Sequence, residues 1–227
     1  MPSLARRLAA EAVGTAFLLA IVVGSGIMAE RLAGGNAALA LLANALATGF
    51  GLAALIACLG PVSGAHFNPV VTLSLAARHE FAWNEVLPYV AVQVAAAAAG
   101  VVAAHLMFDE PFAFSTKPRS GPHQLWSEFV ATFGLVLVVW ACVRQRLAAA
   151  PAWISAYIAA AYWFTASTSF ANPAVTLARC LTDTFAGVRP NDVPGFIVAQ
   201  LSGAIAATAV SNRLFPAYPT QTDKIDL

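Results

Sequence analysis

Charged side chains are scarce in this 227-residue sequence: 10% of residues are Asp, Glu, Lys or Arg, against about 25% in an average soluble domain. With 59% hydrophobic residues beside them, that scarcity excludes an ordinary water-soluble globule. The 12 Lys and Arg nearly cancel the 11 Asp and Glu. No basic run offers a track for phosphates, so nucleic acid is not an expected partner. Cysteine is scarce as well: Cys58, Cys142 and Cys180 lie in apolar stretches, lack C-x-x-C spacing and, being three, cannot all pair with one another. His79, His105 and His123 are scattered at expected helix ends without metal-ligand spacing, and they read as interfacial. There is no H-E-x-x-H, no G-x-S-x-G and no acid pair at catalytic spacing, which argues against an enzyme.

What the sequence does have is long uncharged stretches. A membrane-spanning helix needs about 20 mostly apolar residues. Residues 12–29, 86–108, 129–143 and 193–212 each supply one crossing, the third extended by Leu125 and Trp126. Residues 32–77 and 147–178 are too long for one helix each. The punctuation Gly60-Pro61-Val62-Ser63-Gly64 divides the first of these into a full helix near 36–59 and a short one after Asn68. The second divides likewise, into a full helix near 151–167 and a short one after Asn172. The expected fold class is therefore all-α: six transmembrane helices plus two re-entrant half-helices of about ten residues, each about 15 Å long. Non-helical backbone at membrane depth must be buried in protein or line a wet cavity, so this plan implies a pore or pocket. Arg6 and Arg7 before an apolar run resemble the start of a signal peptide. Because the residues of that run recur later, it is expected to belong to the mature fold.

Three markers repeat in order: Glu11-Ala-Val-Gly14-Thr15 with Glu128-Phe-Val-Ala131-Thr132, Asn68-Pro-Val-Val-Thr-Leu73 with Asn172-Pro-Ala-Val-Thr-Leu177, and Ala91-Val-Gln93 with the looser Val198-Ala-Gln200. The chain thus reads as one domain, 1–227, built from repeats at approximately 1–110 and 122–227, joined by a Pro-, Gly- and charge-rich linker. Three spans per half is an odd number, so the second half enters the membrane inverted, and the short helices approach from opposite faces. With both termini cytoplasmic, Arg6, Arg7, Arg78, Arg144, Arg146, Arg213 and Lys224 fall inside, against five positive residues outside. Small residues at four-residue spacing, Ala96, Gly100 and Ala104, then Gly203 and Ala207, mark close helix packing.

Asn is a strong helix N-cap and Pro suits the first helical position. Asn68-Pro69 and Asn172-Pro173 therefore begin helices, each Asn oxygen capping its own helix and leaving an NH₂ for the cavity. Two helix N-termini meeting at mid-membrane give an electropositive waist that disfavours cations and lets neutral hydroxylated molecules exchange hydration for hydrogen bonds.

The segment Ser63-Gly-Ala-His66-Phe-Asn68-Pro69-Val70, with Asn172-Pro173-Ala174 and the paired Glu11 and Glu128, resembles the aquaporin or major intrinsic protein family over essentially the whole chain. The resemblance implies a plasma-membrane homotetramer in which every protomer has its own passive pore for water or small uncharged solutes, without a cofactor. The family usually has Arg at the third residue after the second motif Asn, where this chain has Val175. By resemblance and by counting back from the motifs, the filter is Thr48, Ala160, Ser169 and Val175. None carries a charge or a ring, so the mouth is expected to be wide enough for larger neutral solutes. Polyols and metalloid hydroxides, notably the arsenic species associated with bacterial relatives of similar filter, fit that expectation. Tyr157, Tyr162 and Arg179 lie near enough in sequence to restore bulk or charge by turning inward. Glu11 and Glu128 read as acceptors for backbone N–H groups of the re-entrant loops rather than as a proton relay, and His66 as loop support. Trp83, Trp126, Trp153 and Trp163 read as membrane anchors or packing. The competing class is a secondary transporter, which inverted repeats also build. Coupling needs an ion site, and the sequence offers no acidic residue near either Asn-Pro motif. A conventional water-selective pore is the other alternative.

Overall fold

The computed structural model describes residues 2–215; Lys224 lies outside them. Eight α-helices follow in order: α1 (Leu4–Leu32), α2 (Ala37–Ser63), α3 (Pro69–Ala77), α4 (Trp83–Phe108), α5 (Pro122–Arg144), α6 (Ala150–Phe164), α7 (Pro173–Arg179) and α8 (Val193–Leu214). Five are long and apolar enough to cross a membrane by themselves: α1, α2, α4, α5 and α8. The bundle turns large apolar side chains outward, among them Phe17, Phe50, Leu87, Leu106 and Ile205. That surface is suited to lipid rather than water. The four tryptophans read as anchors are likewise exposed, whereas Trp140 is fully buried.

Two boundaries differ from expectation. α2 runs on through Pro61 to Ser63 and stops at Gly64, whose φ of 89° is left-handed and costs glycine little. α6 has 15 residues, about 22 Å at 1.5 Å per residue, shorter than a hydrocarbon core of about 30 Å. It ends because Thr165 adopts an extended conformation, its hydroxyl donating to the Ala161 carbonyl at 2.7 Å. From there residues 165–172 turn back into the bundle. The half-helices are shorter than expected too, with 9 residues in α3 and 7 in α7.

Each half packs alike. α1 lies against α2 and α4, α5 against α6 and α8, and α2 meets α6 across the halves. Both half-helices pack between the halves, α3 and α7 each lying against α4 and α8. The small-residue rows serve the α1–α4 and α5–α8 contacts. A Cβ added at Gly100 would strike the Ala16 carbonyl oxygen, and one at Gly203 would lie 2.5 Å from that of Phe129. Backbone cannot yield there, so only glycine permits these approaches.

Candidate functional site

α3 and α7 meet at their N-terminal ends. Asn68 caps α3, its side-chain oxygen accepting from Val70 N–H at 3.0 Å. Asn172 caps α7, accepting from Ala174 and Val175 N–H at 3.0 and 3.3 Å. The amide nitrogens do something the sequence did not reveal. Asn68 donates to the Ala171 carbonyl and Asn172 to the Phe67 carbonyl, each at 2.8 Å. Each Asn thus binds the residue preceding the other, and only one of its two amide hydrogens remains for the cavity.

The loops entering these caps are unusual in backbone and identical in plan. Ala65 and Phe67, and their counterparts Ser169 and Ala171, all have φ between 48° and 51°, a left-handed conformation disfavoured for residues with a Cβ. Such a path persists only if its surroundings enforce it. Two buried carboxylates do so. Glu11 accepts from His66 and Phe67 N–H at 2.9 and 2.8 Å, and Glu128 from Phe170 and Ala171 N–H at 2.9 Å each. Each carboxylate also takes a glutamine amide, Gln93 at 2.9 Å and Gln200 at 2.7 Å. Those amides reach on to Thr72 and Thr176, whose hydroxyls donate to the carbonyls of the two Asn caps. The weak Gln93 and Gln200 echo is therefore part of the frame that shapes both loops. Its sequence signal was that loose repeat and a polar amide standing inside each apolar span.

The absence of acidic residues near the motifs holds along the sequence but not in space. Glu11 and Glu128 stand directly behind the two loops, fully buried, with their oxygens occupied by these donors. His66 holds its loop through Nδ1, 3.0 Å from the Thr72 hydroxyl, and its ring packs on Phe81 and Tyr89. His105 is not interfacial, as expected, but buried: its Nε2 is 2.7 Å from the Thr182 hydroxyl, tying α4 to the loop after α7.

Beside the caps runs a cavity of about 570 Å³, from Arg146 and Leu147 at the end of the bundle where the chain begins, past Asn68 and Asn172, to Ser169 and Arg179 toward the opposite end. Its wall repeats between halves, with Leu18 and Val22 matched by Leu135 and Val139. Of the four counted filter residues, Thr48, Ser169 and Val175 line it. Ala160 does not. It is exposed on the outer side of α6, and Ile154, Ile158 and Tyr162 face the cavity in its stead. Tyr162 sets its hydroxyl 3.2 Å from that of Thr48. Tyr157 turns the other way, its hydroxyl donating to the Val130 and Ala131 carbonyls. Pro69, Val70, Pro173 and Ala174 are buried in the first turns of the half-helices and stay out of the lining.

A loop-on-loop cover secures the end near Arg179. Ser115 N–H donates to the Cys180 carbonyl, and Thr116 N–H to the Asp183 carboxylate at 2.8 Å. That backbone N–H is the main reason the Asp183 carboxyl is held below its ordinary value. Arg119, from the same loop, donates to the carbonyls of Gly187 and Ser167 and stands over the Phe170 ring.

Five spanning helices with the shorter α6, two half-helices meeting at their N-terminal ends and a polar-capped cavity beside them define a membrane channel. The family model for the major intrinsic protein matches residues 1–160 and again 145–225. Aquaglyceroporin AqpS of Rhizobium meliloti (strain 1021) is 54% identical over 218 residues, covering 95% of this chain and 93% of that protein. Aquaporin AqpM of Methanothermobacter thermautotrophicus is 32% identical, covering 91% and 96%. The X-ray structure of the aquaglyceroporin from Plasmodium falciparum shares the fold, with a TM-score of 0.73 at 20% identity, over 94% of this chain and 98% of that one. The chain belongs to the major intrinsic protein family and is a multi-pass membrane channel for small solutes.

Proposed function

We propose that each copy of the chain passively conducts water and small uncharged solutes, with polyols and metalloid hydroxides such as arsenic species among them, through its own cavity. The observation that carries this reading is the pair of Asn caps, Asn68 and Asn172, joined tip to tip beside a cavity that extends to both sides of them. Each cap leaves one amide hydrogen for a passing oxygen, and the helix N-termini behind them disfavour cations. Neutral solutes regain hydrogen bonds there without being trapped.

The selective stretch consists of Thr48, Tyr162, Ser169 and Val175. Val175 presents no charge where the family usually has Arg, which leaves room for solutes larger than water. Tyr162, hydrogen-bonded to Thr48, narrows the same stretch and favours the water-selective alternative. Glu11, Glu128 and His66 are structural supports. The working unit is a homotetramer in the plasma membrane, with both chain termini in the cytoplasm.

Stopped-flow swelling of proteoliposomes with water, glycerol, urea and arsenous acid decides between the wide and the water-selective pore. Val175→Arg is expected to depress flux of the larger solutes more than that of water. Equal loss of both, or no loss, would remove Val175 from the constriction. Uptake driven uphill by a proton or sodium gradient would replace the channel reading with a transporter.

A further inference from the structure

The two half-helices present the same face to the cavity. Asn68, Val71 and Leu75 of α3 and Asn172, Val175 and Arg179 of α7 all line it, and each set occupies positions 0, +3 and +7 of its helix, one stripe at helical periodicity. Asn corresponds to Asn and Val to Val, and the third pair breaks the symmetry. Leu75 is apolar at the third position of its stripe, whereas Arg179 puts a guanidinium at the matching position of the other, one turn and about 6 Å beyond Val175.

Arg179 is 2% exposed. Its Nε–H donates to the Ala186 carbonyl at 2.5 Å, and its guanidinium carbon lies 3.4 Å from the centre of the Phe170 ring. Among the described residues its two terminal amino groups have no hydrogen-bond partner, and no carboxylate lies within ion-pair distance. Neither group counts among the sealed, unsatisfied atoms of the interior, so both meet the open space of the cavity that the residue lines. A buried cation without an anion is costly unless something else answers its charge. Here the carbonyl and the ring answer part of it, and the free amino groups await oxygen atoms from the passage. Ser169 lines the same stretch, but its hydroxyl is sealed in the wall.

We infer that Arg179, one helical turn past the position where the family keeps its arginine, supplies a fixed positive charge at the Val175 end of the passage. It excludes cations and offers paired N–H donors to oxygen-bearing solutes. The inference rests on the channel reading above. It also reconciles an uncharged Val175 with a passage that still discriminates by charge, because the charge is moved along the stripe rather than lost.

The test compares native protein, Arg179→Gln, Arg179→Lys and the double variant Arg179→Gln with Val175→Arg in proteoliposomes, reading water swelling and potassium leak together. At an effective dielectric constant of about 20, a unit charge about 6 Å from a passing cation changes its occupancy on the order of a hundredfold. Arg179→Gln should therefore raise potassium leak by about that factor while water flux persists. Arg179→Lys and the double variant should both restore exclusion. In native protein, the residual ionic leak in a salt gradient should favour chloride. Swelling that persists in Arg179→Gln without extra potassium leak would overturn this assignment alone. So would a cation-selective native leak, which keeps the test decisive should the glutamine variant not fold. Native protein that conducts no water or solute would overturn the channel reading and this inference together.

Discussion

Replacing Glu128 by glutamine isolates what the buried carboxylates do. Glu128 accepts three hydrogen bonds: Phe170 N–H on one oxygen, and Ala171 N–H with the Gln200 amide on the other. Glutamine has the same shape but one acceptor. In its better orientation it keeps Ala171 and Gln200 and turns an NH₂ toward the Phe170 N–H, so donor faces donor. One charge-assisted bond is lost, about 1.5–3 kcal/mol, and a buried N–H is left unmet, about 1–3 kcal/mol. Relief of the buried charge offsets part of this, leaving a net loss of about 3 kcal/mol. At about 2–4 °C per kcal/mol for a chain of this size, the melting temperature in detergent should fall by about 6–12 °C. Water flux per folded protein should fall with it, because the loop that aims Asn172 loses the bond enforcing its left-handed path. An unchanged melting temperature with unchanged flux would refute the claim that the carboxylate shapes the loop.

Two further outcomes follow from packing and from charge. Gly203→Ala would set a Cβ 2.5 Å from the Phe129 carbonyl oxygen and 3.1 Å from the Phe133 nitrogen, so it should cost about 1–3 kcal/mol by forcing α5 and α8 apart. Gly60→Ala, where nothing lies within 4 Å, should stabilise by up to about 1 kcal/mol; melting curves that fail to separate the two would reject the close-approach argument. Asp183, outside the spanning helices, has its carboxyl held below the ordinary 3.8, chiefly by the Thr116 backbone N–H. A lowered value means the stabilisation is present above pH 3.8 and is lost as pH falls through the lower folded-state value. The stability difference between native protein and Asp183→Asn should therefore hold from pH 7 to pH 5 and shrink only below about 4, and shrinkage above pH 5 would contradict the tie.

Much of this was legible in the residues, and what was not has physical reasons. The half-helices, their caps and the Glu pair announced themselves because each occurs twice in the same order. Ala160 was misassigned because counting back from Asn172 ignores rotation. At about 100° per residue, position 160 lies some 200° from both 158 and 162, on the opposite face of α6. The reach of each Asn amide to the other loop depends on a contact between residues about a hundred positions apart, which no local pattern encodes. Gln93 and Gln200 left only a faint echo because a single amide fixes the frame while the apolar residues around it vary freely. Arg179 stood out as the charge closest to the missing arginine. Only the shared stripe of positions on α3 and α7 shows that it reaches the cavity.

The crossed amide bonds also bear on how the protein is made. A ribosome that has delivered only the first repeat leaves the Asn68 amide and the Phe67 carbonyl without their mates, in a bilayer that offers no water to stand in. The conduit is thus a joint product of both repeats, and the leading re-entrant hairpin must wait, incompletely satisfied, until Ala171 and Asn172 arrive to lock it.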